Sequence, residues 1–147
     1  MTSSRITNSF TFSAVGIPRP QGSKDQFGAE ASPYVKPWRY DIRNACIDAK
    51  PDWWVAGKDQ RVGLSVVFRF KRPKKHYHLN GELRDDAPYY VVARKGDIDK
   101  LCRALCDALT SVAYDDDDQV VNLTAAKRYC TEEEDPGLTV TLIKLPA

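Results

Sequence analysis

Residues 96–121 read GDIDKLCRALCDALTSVAYDDDDQVV, and this stretch decides the fold. From Asp99 onward Leu101, Leu105, Ala108, Leu109 and Val112 recur at helical spacing, while Asp99, Arg103 and Asp107 fall on another face, which predicts an amphipathic helix. Acid brackets that helix, with Asp97 and Asp99 before it and Asp115 to Asp118 after it. Asp97 and Asp99 share a side only if the chain between them is extended, because helical geometry turns them about 200° apart. The helix is therefore expected to begin around Asp99, with Asp97 closing an extended segment. Beyond the acid run, Gln119 to Cys130 alternates Val121, Leu123, Ala125 and Tyr129, a strand pattern.

The flanking chain supplies the rest of a sheet. Ser9 to Val15 alternates Phe10, Phe12 and Ala14 and ends at Gly16. Arg61 to Phe70 places Val62, Leu64, Val66, Phe68 and Phe70 on one face, and Leu138 to Ile143 follows a turn at Asp135-Pro136-Gly137. A first helix is expected from Pro37 to about Ala49, where Trp38, Ile42, Ala45, Cys46 and Ala49 share a face, stopped by Lys50-Pro51. GIPRPQGSKDQFG after the first strand and KRPKKHYHLNGELRDDAP after the second read as loops. Tyr89 to Ala93 reads as a short strand. Strands and helices mix without repeats, so the expectation is α+β: a single mixed β-sheet with two main helices, residues 1–147 forming one domain.

Composition bounds the class. The chain has 147 residues, 42% apolar and 29% charged, with no run near the roughly 20 apolar residues of a membrane span, so a soluble cytoplasmic domain is expected. MTSSRITNSFTF lacks a basic region followed by an apolar run, so no secretory signal is read there. Cys46, Cys102, Cys106 and Cys130 have neither CxxC spacing nor framework density; Cys102 and Cys106, one turn apart, are read as packed helix residues and not as half of a zinc site. Charge is uneven: residues 1–95 hold 17 Lys/Arg against 9 Asp/Glu (+8), and residues 96–147 hold 5 against 11 (−6). A basic portion joined to an acidic cluster suits a protein that grips a polyanion while holding a cation beside it.

The acids need compensation. Like charges about 4 Å apart repel by roughly 1 kcal/mol in bulk water and about 4 kcal/mol near a protein surface. If the strand after the acid run lies beside the helix start, a third carboxylate joins Asp97 and Asp99. Three hard oxygen donors then suit Mg²⁺, an ion that activates water for attack on a phosphodiester. Arg103, one turn beyond Asp99, is placed to hold a phosphate or steady a carboxylate. The competing reading is structural: a DxD pair as a helix cap and an acidic run as a solvated turn.

Taken together, GIPRPQGSK, RPKKHY, DIDKL, DALT and the D-D-x-Q-V signature at Asp116-Asp117-Asp118-Gln119-Val120 resemble the RusA-like Holliday junction resolvases, particularly phage-type members, over most of the chain and in the same order. The resemblance implies a Mg²⁺-dependent homodimeric endonuclease, Mn²⁺ substituting, that cuts four-way DNA junctions by paired incisions inside a bacterial host. It places catalysis and metal binding on Asp97, Asp99 and Asp117, with Asp116 beside them. Two departures are visible. Lys100 stands where the family commonly has asparagine, and Arg103 stands where it has a catalytic lysine, which favours phosphate binding over proton handling there. The connection into D-D-x-Q-V is one residue shorter than in the best-known member, so Asp116 and Asp117 remain alternatives for the primary ligand.

Expected DNA contacts come mainly from the basic portion, Lys24 in the first loop and Lys71, Arg72, Lys74 and Lys75 in the second, with His76 and Tyr77 inserting at a junction opening; Lys100, from the acidic portion, joins them. Phosphate contacts of this kind give affinity and salt dependence without base specificity. Trp38, Trp53 and Trp54 are assigned to core or dimer packing in preference to base stacking. Two other classes stay open: a non-catalytic DNA-junction-binding protein of the same fold, and a cation-binding interaction module with no nucleic-acid role.

Overall fold

The alternating segments become strands over the residues expected of them. β1 (Ser9–Val15) and β2 (Arg61–Phe70) coincide with the sequence patterns in the computed structural model, which describes residues 8–22, 33–92 and 96–147. Lys24 lies outside the described residues. β3 (Val120–Tyr129) and β4 (Gly137–Leu145) complete one sheet in the order β1-β4-β2-β3. β4 pairs antiparallel with both β1 and β2, while β2 and β3 run parallel. A parallel pair needs a crossover, and α2 (Ile98–Leu109) lies within it. The architecture is α+β, with one mixed sheet and two helices.

α1 (Val35–Ala49) begins two residues before Pro37, which sits in the first turn where its missing N–H costs no helical bond. Lys50 caps it, held extended ahead of Pro51, and the Lys50 N–H reaches back to the Cys46 carbonyl at 2.8 Å. Trp38, Ile42 and Cys46 of α1 join Leu101, Ala104, Leu105 and Ala108 of α2 over Phe12, Val66, Phe68, Val140 and Leu142 of the sheet to form the core. Trp38 and Trp54 belong to that core, as read, while Trp53 is 43% exposed. The opposite sheet face is polar: Thr11 pairs with Thr141 at 2.8 Å and Ser13 with Thr139 at 2.9 Å across β1 and β4. The turn into β4 requires glycine. Gly137 has φ +152°, and a Cβ there would lie 2.0 Å from the Ala14 carbonyl oxygen.

Two expectations are modified. The segment after β2 is not featureless: Lys74–His76 forms a 3₁₀ turn, and Tyr77 bridges Leu83 across a hairpin whose tip carries Leu79, wholly exposed. Its bonds are local backbone ones, His78 N–H to Glu82 O at 2.8 Å and Arg84 N–H to His76 O at 2.9 Å, so no apolar period announces it. The apolar alternation of β3 does not translate into burial at its start, where Val121 and Leu123 are 57% and 45% exposed. β3 is an outer strand, and among the described residues the pairing on its free side is confined to its far end, around the Tyr90–Arg128 bridge. Among the described residues no helix is long and apolar enough to cross a membrane.

Candidate active site

Gly96, with φ +149°, turns the chain into α2, and a Cβ there would press within 3.0 Å of Leu101. Asp97 follows in an extended conformation (φ −67°, ψ 142°) at the position preceding the helix, as the spacing argument requires. Its carboxylate makes no capping bond; it faces Lys100 at 3.5 Å. The cap explanation for the DxD pair therefore does not describe Asp97. Asp97 and Asp99 line one shallow hollow of about 600 Å³ with Tyr90, Val91, Ile98, Ala125, Ala126 and Lys127.

Lys127, unremarked in the sequence reading, fixes this end of the site. Its Nζ donates to the Gly96 carbonyl at 2.9 Å and ties β3 to the start of α2. The visible signal was a charge interrupting the apolar alternation Leu123, Ala125, Tyr129 on one strand face. The first loop docks here as well: Gln21 N–H donates to the Lys100 carbonyl at 3.0 Å, and the buried Gln21 side chain donates to Asp107 while accepting from Arg39 at 2.8 Å.

At the other end of α2 the acid run is organised by Gln119. Its Oε1 accepts from the N–H groups of Asp115 and Asp116, both at 2.8 Å, and its Nε2 faces the carbonyls of Ala56, Gly57 and Gln60 at 3.2, 2.8 and 3.1 Å. Asp116 caps the short turn Asp117–Gln119, its Oδ1 accepting from Asp118 N–H at 2.9 Å. One part of the run is thus a cap, as the structural reading holds. Asp117 is different. Its pKa is raised, first by desolvation, then by the hydrogen bond and charge of Asp116, then by the charges of Asp107 and Asp118. Tyr114 O–H donates to the Cys106 carbonyl at 2.9 Å and packs this corner against the last turn of α2.

The acids consequently form two groups. Asp97 and Asp99 stand at the start of α2 beside residues 125–127 of β3. Asp117 stands near Asp107, and Asp107 lies about 12 Å further along the helix than Asp99. The expected juxtaposition of the acid run with the helix start is not made within one chain, because β3 passes α2 in the opposite sense. Among the described residues no three acidic, histidine or cysteine side chains are grouped to hold a metal ion. The donors still have the chemistry of a hard-cation site: oxygen only, exposed, and at Asp117 burdened with negative charge that a cation would relieve.

Of the remaining candidates, Arg103 is exposed on α2 between Asp99 and Asp107, and Lys71, Lys74 and Lys75 are exposed along the segment after β2. Lys100 is engaged with Asp97. Arg72 turns inward, donating to the Pro88 carbonyl at 2.7 Å and lying 5.1 Å over the Tyr129 ring. His76 corrects the expectation that it inserts at a junction opening. It is 6% exposed, packed edge-on against Tyr129 with ring centres 4.8 Å apart, and its pKa is lowered by burial and then by Arg72 and Lys75. Tyr77 is half-buried and His78 exposed. Cys102 is buried, and burial pushes its thiol up to about 11, as befits a packing residue.

A protein-family model described as endodeoxyribonuclease RusA matches residues 12–143. No individual curated protein matches the chain.

Proposed function

The chain belongs to the RusA endodeoxyribonuclease family, and from that premise we propose that it is a Mg²⁺-dependent nuclease that resolves four-way DNA junctions as a symmetric dimer. The observation that carries the reading is the separation of Asp97 and Asp99 from Asp117 at opposite ends of α2. A second copy resolves that separation.

Residues 120–126 of β3 form the free part of an outer strand, with Leu123 at their centre. An antiparallel pair of β3 strands about a two-fold axis at Leu123 sets Gln119 of the partner subunit opposite Lys127. Asp117 of the partner subunit then approaches the hollow that holds Asp97 and Asp99. The pairing also covers an apolar edge that a monomer would leave exposed. Such a dimer carries two equivalent sites, as paired incision of a four-way junction requires.

Asp97, Asp99 and the partner's Asp117 would hold the ion; Asp116, spent on its cap, is the weaker candidate. When bound, Mg²⁺ would supply an activated water and charge neutralisation at the phosphodiester. Arg103, on the exposed face one turn beyond Asp99, contacts phosphate, and Lys71, Lys74 and Lys75 extend the basic track.

The test compares a synthetic four-way junction, a fork and a linear duplex in Mg²⁺ or Mn²⁺, using wild type, Asp97→Asn and Asp117→Asn. Wild type is expected to incise the junction preferentially, while each variant binds it and leaves it uncut. Unchanged incision by both variants would refute the assignment. Binding without metal-dependent incision by wild type would favour the non-catalytic junction-binding reading.

A further inference from the structure

The hollow beside Asp97 and Asp99 is lined by two kinds of side chain: charged ones, Asp97, Asp99 and Lys127, and apolar or aromatic ones, Tyr90, Val91, Ile98, Ala125 and Ala126. A nucleotide combines the same two characters, a charged phosphate joined to a flat, largely apolar base. Tyr90 is the aromatic member of the lining, and it is 63% exposed. Core packing therefore does not explain its ring.

Its backbone is nevertheless fixed. Tyr90 bridges Arg128, and the bonds on either side, Tyr129 N–H to Tyr89 O at 3.0 Å and Val91 N–H to Lys127 O at 3.1 Å, fasten the segment to β3. The Tyr89 ring meets the Tyr90 ring edge-on, with centres 4.8 Å apart and planes at 89°. An exposed aromatic ring on a fastened strand loses little freedom when a flat partner settles on it.

We propose that Tyr90 takes a DNA base in stacking, so that the nucleotide next to the cut leaves the helical stack while its phosphate lies at Asp97 and Asp99. The inference rests on the nuclease reading of that hollow. It makes Tyr90 a substrate-contacting residue that favours branched over continuous duplex DNA, since bases at a branch point are the easiest to unstack.

Incision kinetics of Tyr90→Ala and Tyr90→Phe, on a fully paired junction and on one with a mismatch at the crossover, test this in the Mg²⁺-loaded full chain. Tyr90→Ala should lose roughly five- to one-hundred-fold in kcat/KM on the paired junction, the range that base–aromatic stacking accounts for. The loss should shrink on the mismatched junction, where unpairing has been done in advance. Tyr90→Phe, which keeps the ring, should recover most of what Tyr90→Ala loses. Three results would overturn the proposal: unchanged kcat/KM in Tyr90→Ala, an equal loss in Tyr90→Phe, or a loss accompanied by dissociation to monomers in light scattering. Wild type that cuts no junction at all would remove the nuclease premise, and this inference with it; wild type that cuts while Tyr90→Ala cuts equally well would defeat the stacking role alone.

Discussion

Gln119 places five polar contacts on one buried side chain, and the position of Asp117 depends on them. Replacing it with leucine would leave the amides of Asp115 and Asp116 and the carbonyls at residues 56, 57 and 60 without these partners. Gln119→Leu is expected to destabilise the fold by about 3 kcal/mol, given the cost of leaving buried polar groups unsatisfied. Urea unfolding measures it; a change within a few tenths of a kcal/mol would show that the clamp is dispensable. The glutamine was visible within D-D-x-Q-V, but its function was not, because its partners at residues 56–60 lie some sixty positions away. Asp97 was more legible, since two-residue spacing and local backbone geometry sufficed. His76 was misread for the opposite reason: its neighbours in the chain are basic and polar, and the Tyr129 ring that packs against it comes from distant β3.

At the scale of elements, the strands that match the sequence best are those with one buried face. β1 alternates strictly, β2 keeps Val62, Leu64, Val66, Phe68 and Phe70 on one buried face, and the helices cover that face. The beginning of β3 carries the same signal without the cover, because alternation reports a face suited to burial and not what buries it. In the proposed dimer a second copy provides that cover. Leu123→Lys places a charge on the free edge and is expected to yield a folded monomer that no longer incises junctions, as followed by sedimentation, circular dichroism and cleavage. A monomeric variant that still made paired cuts would break the link between dimer and activity. The hairpin at Tyr77–Leu83 was illegible because turn bonds and a single bridge hold it, leaving no periodic trace.

Over the whole molecule, the +8 and −6 portions of the chain share one core and meet along α2, where Gln21 reaches the Lys100 carbonyl and the Asp107 carboxylate and Arg43 donates to the Thr110 carbonyl. That acids bracket this helix was legible in the sequence, but that the acid run stays at its far end was not, since it follows from the direction in which β3 passes α2. In the proposed dimer a working site draws Asp97 and Asp99 from one subunit and Asp117 from the other. Mixing Asp97→Asn with Asp117→Asn, after exchange of subunits, tests it: each variant alone should be inactive, yet a mixed dimer contains one site with every acid intact. Single-strand nicking of a four-way junction by the mixture, at a fraction of the wild-type rate, is the result expected; a mixture as inactive as its components would place all three acids in one subunit and contradict the account.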